Sequence, residues 1–395
     1  MFKFKPVIAG LAFIILTVGV LFVLNRVGNE TPVSEPNKLN PNLDNSPNHS
    51  ISEHEPDEKP FDFDPPIQKI TLSFEDLRET FIAPSFMNDD LIAFEMDHSD
   101  KELSYIGTVA RDNEEVKIIY QTDKNKIINS LVGVDKWLYW VEYDRYRQKD
   151  MPWIIKSYDI ITGETNTVAS GVGEDQIDPP VLRVYDNKVT WIEKEIKNQI
   201  VYSNAIIYDP ISQTNTKLST VRLNEQQKER QGEFFIIQRP IEDGLLIYQS
   251  VFKPGTDKTF EIVFYPYSQS ENPVSVIQKQ GIIDFNGDKK WFVYTEDERI
   301  HVMDRLTGDV KFVIHEDGKD LSYDSPFIFN DILYYRYSME QIMAFDFETE
   351  SKKDITQYDA VMSKIFNSKG YIGFSFMKAI EPEDEAEFTI IDISK

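Results

Sequence analysis

Ser157-Tyr158-Asp159-Ile160-Ile161-Thr162-Gly163 joins an apolar run that ends in aspartate to a tight turn. The same arrangement returns at Ile207-Tyr208-Asp209-Pro210-Ile211-Ser212-Gln213 and at Val302-Met303-Asp304-Arg305-Leu306-Thr307-Gly308. It appears again at Ala344-Phe345-Asp346-Phe347-Glu348-Thr349-Glu350 and at Ile390-Ile391-Asp392-Ile393-Ser394. Upstream of each stand two further apolar runs, the second rich in Trp and Tyr, and downstream of the first four a short fourth run.

Second runs begin near Leu91, Trp137, Val189, Leu245, Trp291, Ile332 and Tyr371; third runs lie near 104–110, 153–159, 204–209, 260–265, 299–304, 341–346 and 387–392. Both series count seven. Fourth runs at 116–120, 165–169, 216–219, 274–278, 310–314 and 352–356 follow six of them. Repeats of four short strands at this spacing predict an all-β protein, a β-propeller of seven blades. The seventh repeat has no fourth run, because the sequence stops at Lys395. One surplus strand-like segment, 67–73, precedes the first repeat, and an open ring would leave sheet edges exposed. It is therefore expected to pair with the last repeat and close the ring. Large side chains on the second runs (Trp137, Trp140, Trp191 and Trp291) are expected to fill the wedges between blades.

Before the repeats the chain divides in two. Residues 7–24 form an uncharged apolar stretch after Lys3 and Lys5. As a helix it would span roughly 27 Å, the thickness of a bilayer core. The lysines place residues 1–6 in the cytoplasm and the rest outside the cell. No small-x-small cleavage site follows, which favours a retained anchor over a removed signal peptide. Residues 25–66 hold eight prolines and seven asparagines and read as a disordered linker reaching roughly 35–40 Å. Asn48-His49-Ser50 within it is a formal glycosylation sequon of the kind that arises by chance in Asn-rich sequence.

The net charge of −25 argues against nucleic acid as a partner, since phosphate binding needs a basic footprint. With no cysteine, neither disulfides nor an N-terminal lipidated cysteine are available. The pattern Tyr-Asp-x-x-Thr-Gly is similar to the outer hairpin of quinoprotein-like and TolB-like propellers. The chain as a whole resembles the YqgU-like propeller proteins of Bacillus-type bacteria. The resemblance covers residues 1–395 through the tethered arrangement and through runs such as Asp135-Lys136-Trp137-Leu138-Tyr139-Trp140-Val141-Glu142, which are generic to propellers. It implies six blades and often a lipoprotein signal; the count of seven and the missing cysteine both depart from it. It implies no settled activity.

Catalytic and metal sites find no support in the sequence. Gly373-Phe374-Ser375-Phe376-Met377 lacks the second glycine of a nucleophile elbow and reads as strand. Gly171-Val172-Gly173 is not followed by the third glycine of a dinucleotide loop. His98, His301 and His315 fall in different repeats and read as surface or strand-end residues. Asp284-Phe285-Asn286-Gly287-Asp288 alternates oxygen ligands but departs from a calcium loop and reads as a turn. Glu381 to Glu387 is a charge run that reads as a solvated loop. No cofactor is implied.

Loops between second and third strands share a face with the connections between blades. They are expected to be short in repeats five and six and long in repeats two, three, four and seven. The long ones carry Tyr143, Arg145, Tyr146 and Arg147, then Lys194 and Lys197, then Phe252 and Lys253. The connection from Arg222 to Arg230, expected as a short polar helix, should lie on the same face. Arg and Tyr are enriched at interface hot spots. These residues are the predicted binding site for an unknown protein or an anionic polymer of the cell envelope. The expected function is a membrane-anchored binding module at the cell surface; a hydrolase or lyase using the central channel, with or without calcium, is the alternative.

Overall fold

In the computed structural model, the described residues are 61, 63–73, 82–98, 100–112, 114–146, 150–173, 178–224, 230–268, 272–296, 298–315, 322–356, 361–376 and 385–394. The expected anchor at 7–24, the linker up to residue 60 and the sequon lie outside them. No helix among the described residues is long and apolar enough to cross a membrane.

Every described element is a strand. After β1 (Ile67–Ser73) come four-strand groups in chain order. The first group is β2–β5 (Pro84–Met87, Leu91–His98, Leu103–Ala110, Val116–Gln121), the second β6–β9 (Lys126–Val134, Trp137–Asp144, Met151–Asp159, Thr165–Gly173). The third is β10–β13 (Arg183–Tyr185, Lys188–Lys197, Ile200–Asp209, Thr214–Asn224), the fourth β14–β17 (Gln231–Pro240, Gly244–Phe252, Thr259–Pro266, Val274–Gln278). The fifth is β18–β21 (Asp284–Gly287, Trp291–Glu296, Arg299–Asp304, Val310–Ile314), the sixth β22–β25 (Tyr323–Phe329, Ile332–Tyr337, Gln341–Asp346, Lys352–Asp354). β26–β28 (Phe366–Ser368, Tyr371–Ser375, Glu385–Asp392) end the chain. All pairings are antiparallel meanders. Five sheets have four strands, and one of eight strands runs from β10 to β17.

The surplus strand behaves as its sequence suggests. β1 pairs antiparallel with β28 from Ile67↔Ile391 to Ser73↔Glu385, giving the order β1-β28-β27-β26. Its alternation decides which face is inside: Ile70 and Leu72 are fully buried while Lys69 and Thr71 point outward. Phe61 and Phe63, at the end of the expected linker, stack on one another, and Phe63 lies 6.2 Å from Tyr334.

The repeated aspartate has a local cause. Asp159 Oδ1 accepts the backbone N–H groups of Ile161 and Thr162 at 2.8 and 3.2 Å. Asp209, Asp304 and Asp346 do the same two and three residues on. The carboxylate thus folds the hairpin between third and fourth strands, an Asx turn. Gly163 and Gly308 then take a φ of +75°, where a side chain would be strained.

The core lies between sheets. Phe94 and Phe388 meet between the first and last groups. Phe86 and Trp140 join the first to the second, Trp153 and Trp191 the second to the third. Ile192 and Phe235, Tyr248 and Phe292, Val293 and Tyr335, and Tyr334 and Phe374 continue this to the last group. The tryptophans take their expected wedge positions: Trp140, Trp191 and Trp291 are buried, and Trp137 is partly covered beneath Lys136. The first strands of each group lie inward, since β2 touches β6 and β26, β10 touches β6 and β14, and β18 touches β22.

Two expectations about loops are corrected. The loop between second and third strands in repeat three is not long: β11 and β12 are joined by Asn198 and Gln199 alone, with φ of +53° and +63°. Two left-handed residues make the two-residue hairpin whose twist matches the strands, so Lys194 and Lys197 lie in β11. The expected polar helix begins too early, because Arg222 belongs to β13 and Leu223 pairs with Gly232 of the next strand; residues 225–229 lie outside the described set.

Candidate functional site

The ten predicted binding residues fall into two groups with different fates. Tyr143, Arg145 and Tyr146 are drawn to acids of the first repeat. Arg145 binds Asp97 through both guanidinium nitrogens, one at 2.8 Å to Oδ2, and its backbone N–H donates to the Asn125 carbonyl. The bidentate fit of guanidinium to carboxylate makes it a clasp between repeats rather than a free anchor. Tyr146 is exposed, and its hydroxyl donates to Glu102 at 3.1 Å. The Tyr143 hydroxyl is pushed up to about 12 by burial and by Glu95 and Asp178. Arg147 lies outside the described residues.

Beneath this clasp sits Glu95 of β3. Its Oε2 accepts the Leu131 N–H at 3.2 Å, at a bulge of β6. Desolvation raises Glu95 to about 7, with the Leu131 bond opposing and Asp97 adding to the rise. A carboxyl whose folded value lies above its unfolded one has its full contribution at low pH and loses it as pH climbs from about 4.5 to 7. Glu95→Gln should therefore be more stable than wild type at pH 8, by about 1–2 kcal/mol once partial exposure is allowed for. At pH 5 the two should unfold at nearly the same urea midpoint. An equal difference at both values would show that Glu95 does not titrate in this way.

The second group is gathered by strand register. Lys197 pairs with Ile200, Ile200 with Asn224, Asn224 with Gln231, and Gly232 with Phe252. This row crosses five strands and brings Lys194, Lys197, Arg222, Arg230, Phe252 and Lys253 to one end of the eight-stranded sheet. Gly232 makes the crossing possible: at φ +124° its added Cβ would lie 2.0 Å from the Arg222 carbonyl oxygen. Val201 and Leu223, flanked by Ile196, Phe234 and Phe252, form a small apolar cluster there.

The cations of this end differ in freedom. Lys194 sits 4.5 Å from the centre of the Phe234 ring, and burial pushes it down to about 8 against the pull of Asp178. Lys197 pairs with Glu195 at 2.7 Å. Arg222, Arg230 and Lys253 are exposed. Lys258, which sequence reasoning passed over, lies 4.4 Å from the Phe260 ring and 5.4 Å from Phe252; burial and the nearby Arg230 lower it.

A third constellation was missed entirely, on the inward strands. Arg183 is on β10, Arg239 on β14, Asp284 on β18 and Asp324 on β22, with Lys364 just before β26. Arg239 grips Asp284 at 2.6 and 3.2 Å, and the Ser325 N–H donates to the other Asp284 oxygen at 3.1 Å. Arg336 of β23 holds Asp324 with Nε at 2.9 Å and donates to the Met362 carbonyl at 3.0 Å. Desolvation opposes the charge on Asp284, but Arg239, Lys364 and the hydrogen bonds outweigh it and hold its carboxyl below the usual range. Asp284 thus serves an ion pair, and Asp288 turns back to accept the Lys290 and Trp291 N–H groups, each at 2.7 Å.

The remaining motifs settle as structure. Ser375 ends β27 and donates to the Ile82 carbonyl at 2.5 Å. His98 is a buried strand end, edge-on to Tyr105 at 5.5 Å, not a surface residue. His301 stacks on Tyr294 at 4.7 Å. Most of the Glu381 to Glu387 run lies outside the described residues; Glu387 pairs with Lys69 at 3.0 Å. Among the described residues no three His, Asp or Glu side chains are grouped to hold a metal ion.

Solved structures place this architecture. A prolyl endopeptidase is similar at 11% identity and a TM-score of 0.52, over 75% of this chain and 46% of its own. The β-propeller domain of the Trilobed protease from Pyrococcus furiosus, described with an open velcro topology, is similar at 11% identity and a TM-score of 0.51, over 76% of this chain and 92% of its own. An acylaminoacyl peptidase is similar at 11% identity and a TM-score of 0.50, over 79% of this chain and 51% of its own. This chain spans about half the length of the two whole peptidases. The fold is that of a β-propeller. No protein-family model matches the sequence, and no curated protein is similar to it in sequence.

Proposed function

We propose that this chain is a membrane-tethered binding module displayed outside the cell. In this reading a closed ring of seven four-stranded blades is carried on the 25–66 linker by a span at 7–24. The ring reading is supported by the four-strand groups, by the β13–β14 ladder that welds two of them, by the β1–β28 pairing and by apolar clusters linking each group to the next. Anchoring is supported by the apolar stretch and its preceding lysines.

The observation that carries the binding reading is the registered row at the end of the eight-stranded sheet. It sets exposed Arg222, Arg230 and Lys253 around an apolar cluster on a chain of net charge −25. A cationic rim around apolar ground suits a partner that presents negative charge. The alternative, acid–base catalysis in the channel, would need a carboxylate ready to take a proton. Asp284 and Asp324 are each held by a guanidinium, which favours the binding reading.

A membrane-impermeant amine crosslinker applied to intact cells that make the full chain tests both parts. Wild type should give discrete adducts. The Lys197→Glu, Arg222→Glu, Lys253→Glu variant should lose most of them while keeping its melting temperature. Unchanged adducts in the variant would remove the proposed face. Labelling only after lysis would remove the outward display.

A further inference from the structure

We infer that the inward strands hold a binding site for a small oxyanion, a carboxylate or phosphate group, between Arg183 and Lys364. This site is separate from the sheet-end face and does not depend on it. Four cations and two carboxylates converge there: Arg183, Arg239, Arg336 and Lys364 against Asp284 and Asp324. Two of the cations are matched, Arg239 by Asp284 and Arg336 by Asp324. The other two are not. Arg183 donates through Nη1 to the carbonyl of its own neighbour Leu182 at 3.2 Å, and its buried Nε–H has no partner. Lys364 accepts the Ser363 hydroxyl with its backbone carbonyl at 2.9 Å, but its ammonium makes no hydrogen bond or ion pair among the described residues.

Arg183 is largely enclosed, its Nε fully so, whereas Lys364 is exposed to solvent. A buried guanidinium nitrogen beside an exposed ammonium is the arrangement of a site that solvent and small solutes can reach, not of a packed core. Enclosure and the neighbouring Arg239 drive Arg183 down to about 9, well below a free guanidinium. Like charges brought together in such a place repel one another and lose hydration. An oxyanion relieves both costs, and a guanidinium fork matches its geometry while an ammonium supplies a point charge. The backbone prepares the fork. Gln238 of β14 donates to the Val181 and Thr190 carbonyls at 2.8 and 3.2 Å. It thereby fixes both sides of the short strand that carries Arg183.

The positive site is unexpected in so acidic a chain, and this points to selectivity. Polyanions are repelled by the exterior, whereas a small anion that reaches the site meets a surplus of positive charge. The ligand class is therefore a compact mono- or polycarboxylate or a phosphate.

The purified full chain is titrated calorimetrically with inorganic phosphate and with citrate, and its melting temperature is followed against sodium chloride of matched ionic strength. At least one of the two should bind and raise the melting temperature where chloride does not. Arg183→Gln and Lys364→Gln should each weaken that binding about tenfold or more, the loss expected for one charge-assisted hydrogen bond. The Lys197→Glu, Arg222→Glu, Lys253→Glu variant should bind the anion unchanged, so the two sites can fail separately. Near-ultraviolet circular dichroism checks that the variants fold; Lys364 reaches solvent, so its variant carries the test if Arg183→Gln does not. Neither anion acting beyond chloride, or equal affinity in wild type and Lys364→Gln, would overturn the site.

Discussion

Removing residues 1–73 is expected to unfold or severely weaken the domain, whereas removing residues 1–57 is expected to leave it nearly unchanged. The first deletion takes away β1 and its seven-residue ladder with β28. Ile70 and Leu72 are fully buried between the first and last groups beside Phe94, Phe388 and Ile390. Burying two such side chains is worth about 3–6 kcal/mol, against a total stability of roughly 5–15 kcal/mol for a typical domain. The deletion also bares β28 as an edge ready to pair with another copy. Urea unfolding followed by tryptophan fluorescence, with size-exclusion chromatography, reads both effects. The midpoint should drop steeply and the species should grow in size only when β1 is lost. Matching midpoints for the two deletions would mean that β1 is not part of the fold's cooperative unit.

Asp284→Ala should cost about 3–5 kcal/mol, the penalty for stripping a partner from a buried ion pair. The carboxylate is nearly inaccessible and engages Arg239 and the Ser325 N–H at once. Without it, Arg239 faces Arg183 and Lys364 with no opposing charge beside it. For a domain of this size the melting temperature should fall by roughly 10 °C. Arg183→Gln, on inward strand β10, removes a cation that makes no ion pair and should leave the melting temperature close to wild type. Because the folded Asp284 carboxyl lies below its unfolded value, its contribution is complete above the ordinary carboxylate range and disappears as pH falls through the folded value. Asp284→Ala should therefore flatten the acid limb of the stability curve. If Asp284→Ala and Arg183→Gln had the same small effect, the ion pair would not be holding the inward strands.

Much of the fold is written locally, and for that reason was readable. The alternation in Ile67–Ser73, the aromatic second runs and the aspartates that close hairpins all act within a few residues. The third-run positions 299–304 and 341–346 coincide with β20 and β24. The site was far less readable. Arg145 looked like a free anchor because its partner, Asp97, lies 48 residues away. Lys194 and Lys197 looked like loop residues because the left-handed pair at Asn198 and Gln199 is not a common turn sequence. Arg183, Arg239, Asp284 and Lys364 carried no signal at all, since no short spacing relates them.

From sequence alone came the strands, their turns, the order of the repeats and the role of the Ile67–Ser73 segment. Backbone hydrogen bonding and side-chain alternation are short-range and leave a period that can be counted. Only the folded chain decided which charges meet. Electrostatic pairing depends on distance in space, and the inward strands bring together groups as far apart in sequence as Arg183 and Lys364, which stand outside the ion pairs that Asp284 and Asp324 make.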